Sequence, residues 1–304
     1  MQNTNIIVSF LENNPDYLIG VVFIFGLLFG SFFNVVIYRT PLMLFKEWLK
    51  NTREFIVELY GSLPKELEED PKDFKSGTFN LVTPNSTCPK CDHEISWHEN
   101  IPIISYLFLR GKCSSCKTSI SIRYPGVELV TALLSAFVAY KLGASLEMVA
   151  ILILTWSFIC LTMIDYDHHI LPDQITLPLL WLGLLLNLDG LFVPIESAVI
   201  GAAAGYLSLW TIYQLFKLAT GKEGMGFGDF KLLAALGAWM GWEVLPLIIL
   251  LSSLVGSIIG ISFILIQGRD KNIPFAFGPY LAIAGWITFF WGDLIINYYK
   301  YQIL

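Results

Sequence analysis

Two groups of residues in this chain have the types and spacing of working chemistry. The first is Cys88-Pro-Lys-Cys91 and Cys113-Ser-Ser-Cys116, two Cys-x-x-Cys pairs with 21 residues between them. Each pair offers two thiolates from one tight turn, and two pairs close a tetrahedral four-sulfur site, so the spacing predicts one structural zinc. A catalytic zinc would need an open position or a His, Asp or Glu ligand. His93 and His98 lie nearby, but four sulfurs already fill the shell. The rival reading is reduced or redox-active thiols. Lys90, Lys112 and Lys117 flank the sulfurs and would favour thiolates. Cys160 stands in an apolar run and reads as a small packing residue.

The second group is carboxylates at the edges of apolar runs. One cluster is Asp165-Tyr166-Asp167-His168-His169-Ile170-Leu171-Pro172-Asp173; the other is Gly224-Met225-Gly226-Phe227-Gly228-Asp229-Phe230-Lys231. Ionisable groups in or beside membrane spans are costly and are functional candidates by default. The three glycines strip side chains from around Asp229 and let another backbone approach, although an acid at a helix start is also an ordinary N-cap. A phosphate loop is excluded, because the Gly-Lys-Ser/Thr ending is missing. Asp173 follows Pro172 and reads as an N-cap. Asp165 closes an apolar helix, where the helix dipole disfavours an acid, so its placement asks for a reason other than folding. Asp167 falls about 200° further round the same helix and cannot face the same partner. Two carboxylates from different helices at one depth suggest an aspartyl dyad sharing one proton.

These residues must be held by a membrane fold. The 304 residues are 55% hydrophobic and only 14% charged, with mean hydropathy +0.62. Soluble domains run nearer about 25% charged. A net charge of −6 excludes a basic nucleic-acid binder, and five cysteines are too few for a disulfide scaffold. No internal repeat is visible. About 20 apolar residues cross a bilayer. Eight stretches qualify as candidates: 17–38, 126–142, 147–164, 174–191, 194–217, 228–242, 244–267 and 275–298. The fold class is therefore an all-α polytopic membrane protein with about eight transmembrane helices. Its organisation reads as a first helix at 1–38, a four-cysteine zinc domain at 39–125 and a seven-helix membrane domain at 126–304. The first apolar run precedes its positive charge, unlike a cleavable signal, and reads as a retained helix. Residues 39–125 hold 12 of the 19 Lys and Arg. Adding Lys217, Lys222, Lys231, Arg269 and Lys271 puts 17 of 19 on one side, which the positive-inside rule makes cytoplasmic. Both termini then lie outside, and the zinc domain and both acid clusters lie in the cytoplasm.

Taken together, these motifs resemble one family: the bacterial type IV prepilin peptidases, bifunctional leader peptidases and N-methyltransferases of the Gly-x-Gly-Asp intramembrane aspartyl protease class. The matching segments are Gly30-Ser31-Phe32-Phe33-Asn34-Val35-Val36, Tyr38-Arg39, Asn80-Leu81-Val82, the two cysteine pairs, Asn100-Ile101-Pro102 and Leu109-Arg110-Gly111-Lys112-Cys113. Arg123-Tyr124-Pro125 with Glu128, the Asp165 and Asp229 motifs and Phe277-Gly278-Pro279 complete the series. The resemblance implies that Asp165 and Asp229 are the catalytic pair and that Asp167 and Asp173 are not. It implies cleavage of prepilin or pseudopilin leaders after a glycine at the cytoplasmic face of the inner membrane. It further implies N-methylation of the new N-terminus from S-adenosylmethionine, with Gly111 and Lys112 tied to that second activity as cofactor-binding residues. A basic leader would be drawn to acids at the interface, and Asn34 either lines a substrate groove or serves helix packing. Lipid is the only other partner expected; nucleic acid is not.

Two readings from other classes compete. An ion-coupled transporter also uses intramembrane acids and glycine-broken helices, but would show repeat-related halves and acids near the midplane. A zinc-containing membrane assembly protein would use the cysteine domain to hold a partner and leave the acids incidental.

Overall fold

The computed structural model of the chain describes residues 9–67, 71, 78–267 and 276–303. Arg269 and Lys271, two of the charges used to orient the chain, lie outside the described residues, as do Lys72 and Lys75. The described residues form helices joined by turns, with two isolated β-bridges and no strand among them. They divide into two compact units, Met1–Ala144 and Ser145–Leu304.

The first unit contains α1 (Pro15–Tyr60), the short α2 (Ile104–Phe108) and α3 (Arg123–Leu142). Pro15 opens α1, where a missing N–H costs nothing, and left-handed Gly61 closes it by donating to the Val57 carbonyl at 2.8 Å. The first helix does not stop at Tyr38; it continues through Pro41 to Tyr60. Its second half is charged, with a Lys50–Glu54 pair one turn apart, so apolar length alone could not reveal it. Gly26 and Gly30, four residues apart, let α1 press on α3. A Cβ at Gly26 would stand 2.6 Å from Ala132 Cα, and one at Gly30 would stand 2.7 Å from Glu128 Cα. Such small-x-x-x-small faces are how helices pack where lipid gives no hydrophobic drive.

The second unit contains α4 (Leu146–His168), α5 (Asp173–Leu186), α6 (Ile195–Thr220), α7 (Phe227–Met240), α8 (Leu245–Gln267) and α9 (Gly278–Ile303). Its centre is α7, which packs on α5, α6, α8 and α9. From Asp229 to Met240 every residue of α7 except Lys231 is buried. Gly201 and Gly205 of α6 lie directly on the Leu233–Gly237 backbone of α7. Trp239 is fully buried and donates its indole N–H to the Leu179 carbonyl at 2.8 Å. Asn187, also fully buried, ties off the end of α7. It donates to the Ala238 and Trp239 carbonyls and accepts from the Phe192 and Val193 N–H groups.

Among the described residues, six helices are long and apolar enough to cross a membrane, α1, α3, α4 and α6 among them. The other two expected spans, 174–191 and 228–242, correspond to α5 and α7. Each has 14 residues, about 21 Å at 1.5 Å per residue and short of a roughly 30 Å hydrocarbon core. The apolar run at 174–191 read longer because Asn187 ends the helix inside it.

Candidate active site and metal centre

In the second unit the structure brings Asp165 and Asp229 to one place. Asp165 occupies the last turn of α4 and is 5% exposed. His169 then turns left-handed, with φ 55°, and donates its N–H to the Asp165 carbonyl at 2.9 Å, ending the helix. The chain runs on through Leu171, whose side chain packs against the two glycines that face it. A Cβ at Gly228 would meet Leu171 Cβ at 2.7 Å, and one at Gly278 would meet its methyl carbons at 3.0 and 3.1 Å. Gly278 opens α9 and donates its N–H to Asp165 Oδ2 at 2.9 Å. Asp229 lies in the first turn of α7, immediately after Gly228, and is buried. The two carboxyl groups interact electrostatically. Asp229 Oδ1 is enclosed and has no hydrogen-bond partner among the described residues. A buried carboxyl oxygen without a partner is rare enough to ask for a function.

The neighbouring acids go elsewhere. Asp167 is exposed on α4. Asp173 is not an N-cap: Pro172 holds that position and Asp173 is the first helical residue of α5. Its carboxylate takes Lys231 Nζ at 2.6 and 2.8 Å. This pair links the start of α5 to α7 two residues beyond Asp229. Composition and spacing gave no signal for Leu171, Lys231 or the Gly278 N–H as parts of this site; only the Phe277-Gly278-Pro279 resemblance pointed to one of them.

In the first unit the four predicted sulfurs, Cys88, Cys91, Cys113 and Cys116, all lie within 4.8 Å of one another. Cys88 and Cys116 are 3.8 Å apart, and Cys91 and Cys113 are 4.0 Å apart. Four thiolates at about 2.3 Å from one tetrahedral zinc stand about 3.8 Å from each other, so the donor set fits that ion. The two knuckles are built alike. Asp92 and Lys117, each just after a second cysteine, are left-handed, with φ 53° and 59°. Each donates back to the first cysteine of its pair, Asp92 to the Cys88 carbonyl and Lys117 to the Cys113 carbonyl. The Cys88 thiol is held below its usual value first by the N–H of Lys90 and then by that of Cys91. Thr118, through its hydroxyl and then its N–H, brings Cys116 down to about 6. At these two sulfurs local hydrogen bonds, not the flanking ammonium groups, favour the thiolate; Cys91, despite the His93 N–H, is pushed up to about 11 by burial and by the other three sulfurs.

Neither histidine joins the sulfur cluster. His93 faces Glu99 and Ser114 at 3.2 and 3.1 Å, and His98 stacks edge-on against Trp97. Ser114, then the Ser96 N–H, hold the Glu99 carboxyl down to about 2. Gly111 is left-handed, with φ 65°, and a Cβ there would press on the Tyr106 hydroxyl at 2.9 Å. Lys112 is exposed and bridges Ser119 through the backbone at the base of the second knuckle. Asn34 donates to the Tyr124 carbonyl at 3.1 Å, which is the helix-packing role. Buried Arg39 donates to the Asn80 and Pro84 carbonyls at 2.8 and 2.7 Å, folding the segment before the first knuckle onto α1.

A helical membrane protein with a buried carboxyl pair at helix ends and a four-thiol knuckle domain is the class that fold and site define. Two family models match the chain. The Bacterial Peptidase A24 N-terminal domain covers residues 24–142, and the Type IV leader peptidase family covers residues 152–261. The chain belongs to the type IV leader peptidase family. Among its relatives, a prepilin leader peptidase/N-methyltransferase of Stutzerimonas stutzeri is 53% identical over 292 residues, 96% of this chain and 97% of the relative. Proteins of the same name from Pseudomonas aeruginosa and Neisseria gonorrhoeae are 52% and 50% identical, over 96% and 95% of this chain and 97% and 96% of theirs. No solved structure matches.

Proposed function

We propose that the chain is a prepilin leader peptidase and N-methyltransferase in which Asp165 and Asp229 form the cleavage dyad. Supporting this is the burial of two interacting carboxyls from separate helix ends, with Asp229 Oδ1 left without a partner among the described residues. The pair shares one proton. The ionised member takes a proton from water, which attacks the scissile carbonyl, and the protonated member gives its proton to the carbonyl oxygen. As the tetrahedral diol collapses, the newly protonated member gives its proton to the departing amine and the other member takes one from a hydroxyl of the diol, so the pair ends as it began. The Gly278 N–H fixes Asp165 Oδ2 for this exchange. The membrane segment 126–304 carries cleavage, on type IV prepilins, type II secretion pseudopilins or both.

The four-cysteine segment, 39–125, supports methylation. Cys88, Cys91, Cys113 and Cys116 would hold a structural zinc, which supplies folding energy to a segment poor in apolar core. S-adenosylmethionine supplies the methyl group to the amine that cleavage exposes. That amine must be neutral to attack, so methylation follows cleavage and weakens as pH falls below roughly 8. Gly111 and Lys112 belong to this second activity. The charge asymmetry of the sequence supports an inner-membrane protein with cytoplasmic sites and both termini periplasmic.

The test is mass spectrometry of a prepilin incubated with the purified protein. Asp165→Asn and Asp229→Asn should each abolish the shortened product while the protein stays folded. Full cleavage by either variant refutes the dyad.

A further inference from the structure

The first unit holds a cleft of about 450 Å³ that neither the dyad nor the thiol cluster uses. This is within the range of small-molecule sites, about 300–1,000 Å³. Its polar lining includes Arg39, Asn85, Glu94, Ser96 and Asn100, and Trp97 stands at its side with 82% of its surface exposed. A pilin segment long enough to span a bilayer would ask for an apolar groove. Here Val35, Leu81, Val82, Pro84 and Ile95 share the lining with one buried cation, an exposed carboxylate, two amides and an open indole, a mixture that suits a compact, water-soluble molecule with a flat ring, a diol and its own charges.

Resting on the methyltransferase reading above, we infer that this cleft is the methyl-donor site and that it takes the adenosyl amino acid through Trp97, Glu94 and Arg39. Trp97 offers an indole face to the adenine ring. The Glu94 carboxylate suits the paired ribose hydroxyls. Of the Arg39 guanidinium's five donors, one each goes to the Asn80 and Pro84 carbonyls; its fixed charge suits the carboxylate of the amino-acid end.

The cleft is also tied to the thiol knuckles. Trp97 begins a single helical turn, Trp97–Asn100, closed by a reciprocal Ser96–Glu99 capping box. The Glu99 carboxylate accepts from the Ser96 N–H at 2.9 Å and meets His93, beside the first knuckle. His93 in turn meets Ser114 of the second knuckle at 3.1 Å. Gly111 and Lys112 lie at the base of that second knuckle and do not line the cleft. They would therefore influence methylation by holding the knuckle that positions Trp97, without touching the donor.

The experiment is calorimetric titration of the full-length protein, in detergent, with S-adenosylhomocysteine, which binds without reacting. Metal content and thermal unfolding serve as folding controls. Trp97→Ala and Glu94→Gln should each weaken binding at least tenfold. Trp97→Phe should restore most of it, and Phe108→Ala, another exposed aromatic of the same segment, should bind like the wild type. Wild-type affinity in both Trp97→Ala and Glu94→Gln overturns the site and leaves Trp97 as a membrane-surface residue. So does absent binding by a preparation that methylates cleaved pilin. A preparation that cleaves but neither binds the probe nor methylates refutes the methyltransferase reading itself.

Discussion

Replacing Gly278 by alanine tests the dyad geometry without touching either carboxylate. The added methyl would stand 2.8 Å from Asp165 Oδ2 and 3.0 Å from a Leu171 methyl carbon. The first is closer than real Cβ contacts come, and the second is tighter than nine in ten of them. Leu171 is wedged against Gly228 on its other side, so it has little room to retreat, and the Asp165 carboxyl must turn away from the Gly278 N–H. A hydrogen bond to a charged group contributes about 1.5–3 kcal/mol. At 1.36 kcal/mol per decade, its loss in the transition state slows cleavage by roughly 10- to 150-fold. The assay is the initial rate of prepilin shortening by full-length protein, with kcat and KM separated. The fall should lie in kcat, because Gly278 acts through Asp165 and not on the leader. Gly226→Ala is the matched control: its methyl would lie 3.8 Å from Asp229 Oδ2, an ordinary contact, and the residue has φ −81°. If folded Gly278→Ala cleaves within threefold of the wild type, or Gly226→Ala falls as far, the reasoning fails.

The other expectations follow from single contacts. Gly228→Ala should impair cleavage more than Gly226→Ala, because its methyl meets Leu171 Cβ at 2.7 Å; equal rates would refute this. Asp173→Asn breaks an ion pair whose acid is half exposed, so it should lower stability by no more than about 1 kcal/mol and keep cleavage, read by thermal unfolding and the same initial-rate assay. Metal analysis should give about one zinc per chain, with the four thiols alkylated only after chelation; stoichiometric disulfides without metal would refute the site. Glu99 titrates at about 2, below its ordinary 4.5, so its contribution to stability is complete above pH 4.5 and is lost as pH falls toward 2. The unfolding difference between wild type and Glu99→Gln should therefore be flat from pH 5 to 8 and vanish at lower pH; a difference that persists at pH 2 contradicts it.

The membrane class, the acid clusters and the thiol spacing were legible because each is a property of residue type at fixed sequence distance. The Cys-x-x-Cys turn is local, so two of them predict a cluster within 4.8 Å without knowledge of the rest. The length of α1 was not legible, since its second half is a charged helix with no apolar signal. Nor was the end of α5, because Asn187 sits in an apolar run and stops the helix by bonds to α7, 51 residues away. Asp173 looked like a cap because Ser, Thr, Asn and Asp before apolar runs usually are. Its partner Lys231 lies 58 residues on, beyond any local pattern.

The least legible feature is why Asp165 tolerates its position. Along α4 alone it sits in the last turn, where the dipole opposes a negative charge. The fold reverses that judgement by placing the first turn of α9 against it, so that the Gly278 N–H, one of the unpaired donors every helix start carries, points at its carboxylate. Asp229 needs no such help, because it already lies in the first turn of α7. Both carboxyls are therefore served by helix N-termini, one its own and one borrowed from α9. That arrangement depends on glycine at 278 and at 228, where the informative property is a missing side chain. A sequence marks such positions only as glycines among the chain's 24. What separates Gly228 and Gly278 from Gly20 or Gly126, where a Cβ would meet nothing within 4 Å, is the Leu171 side chain packed against both of them.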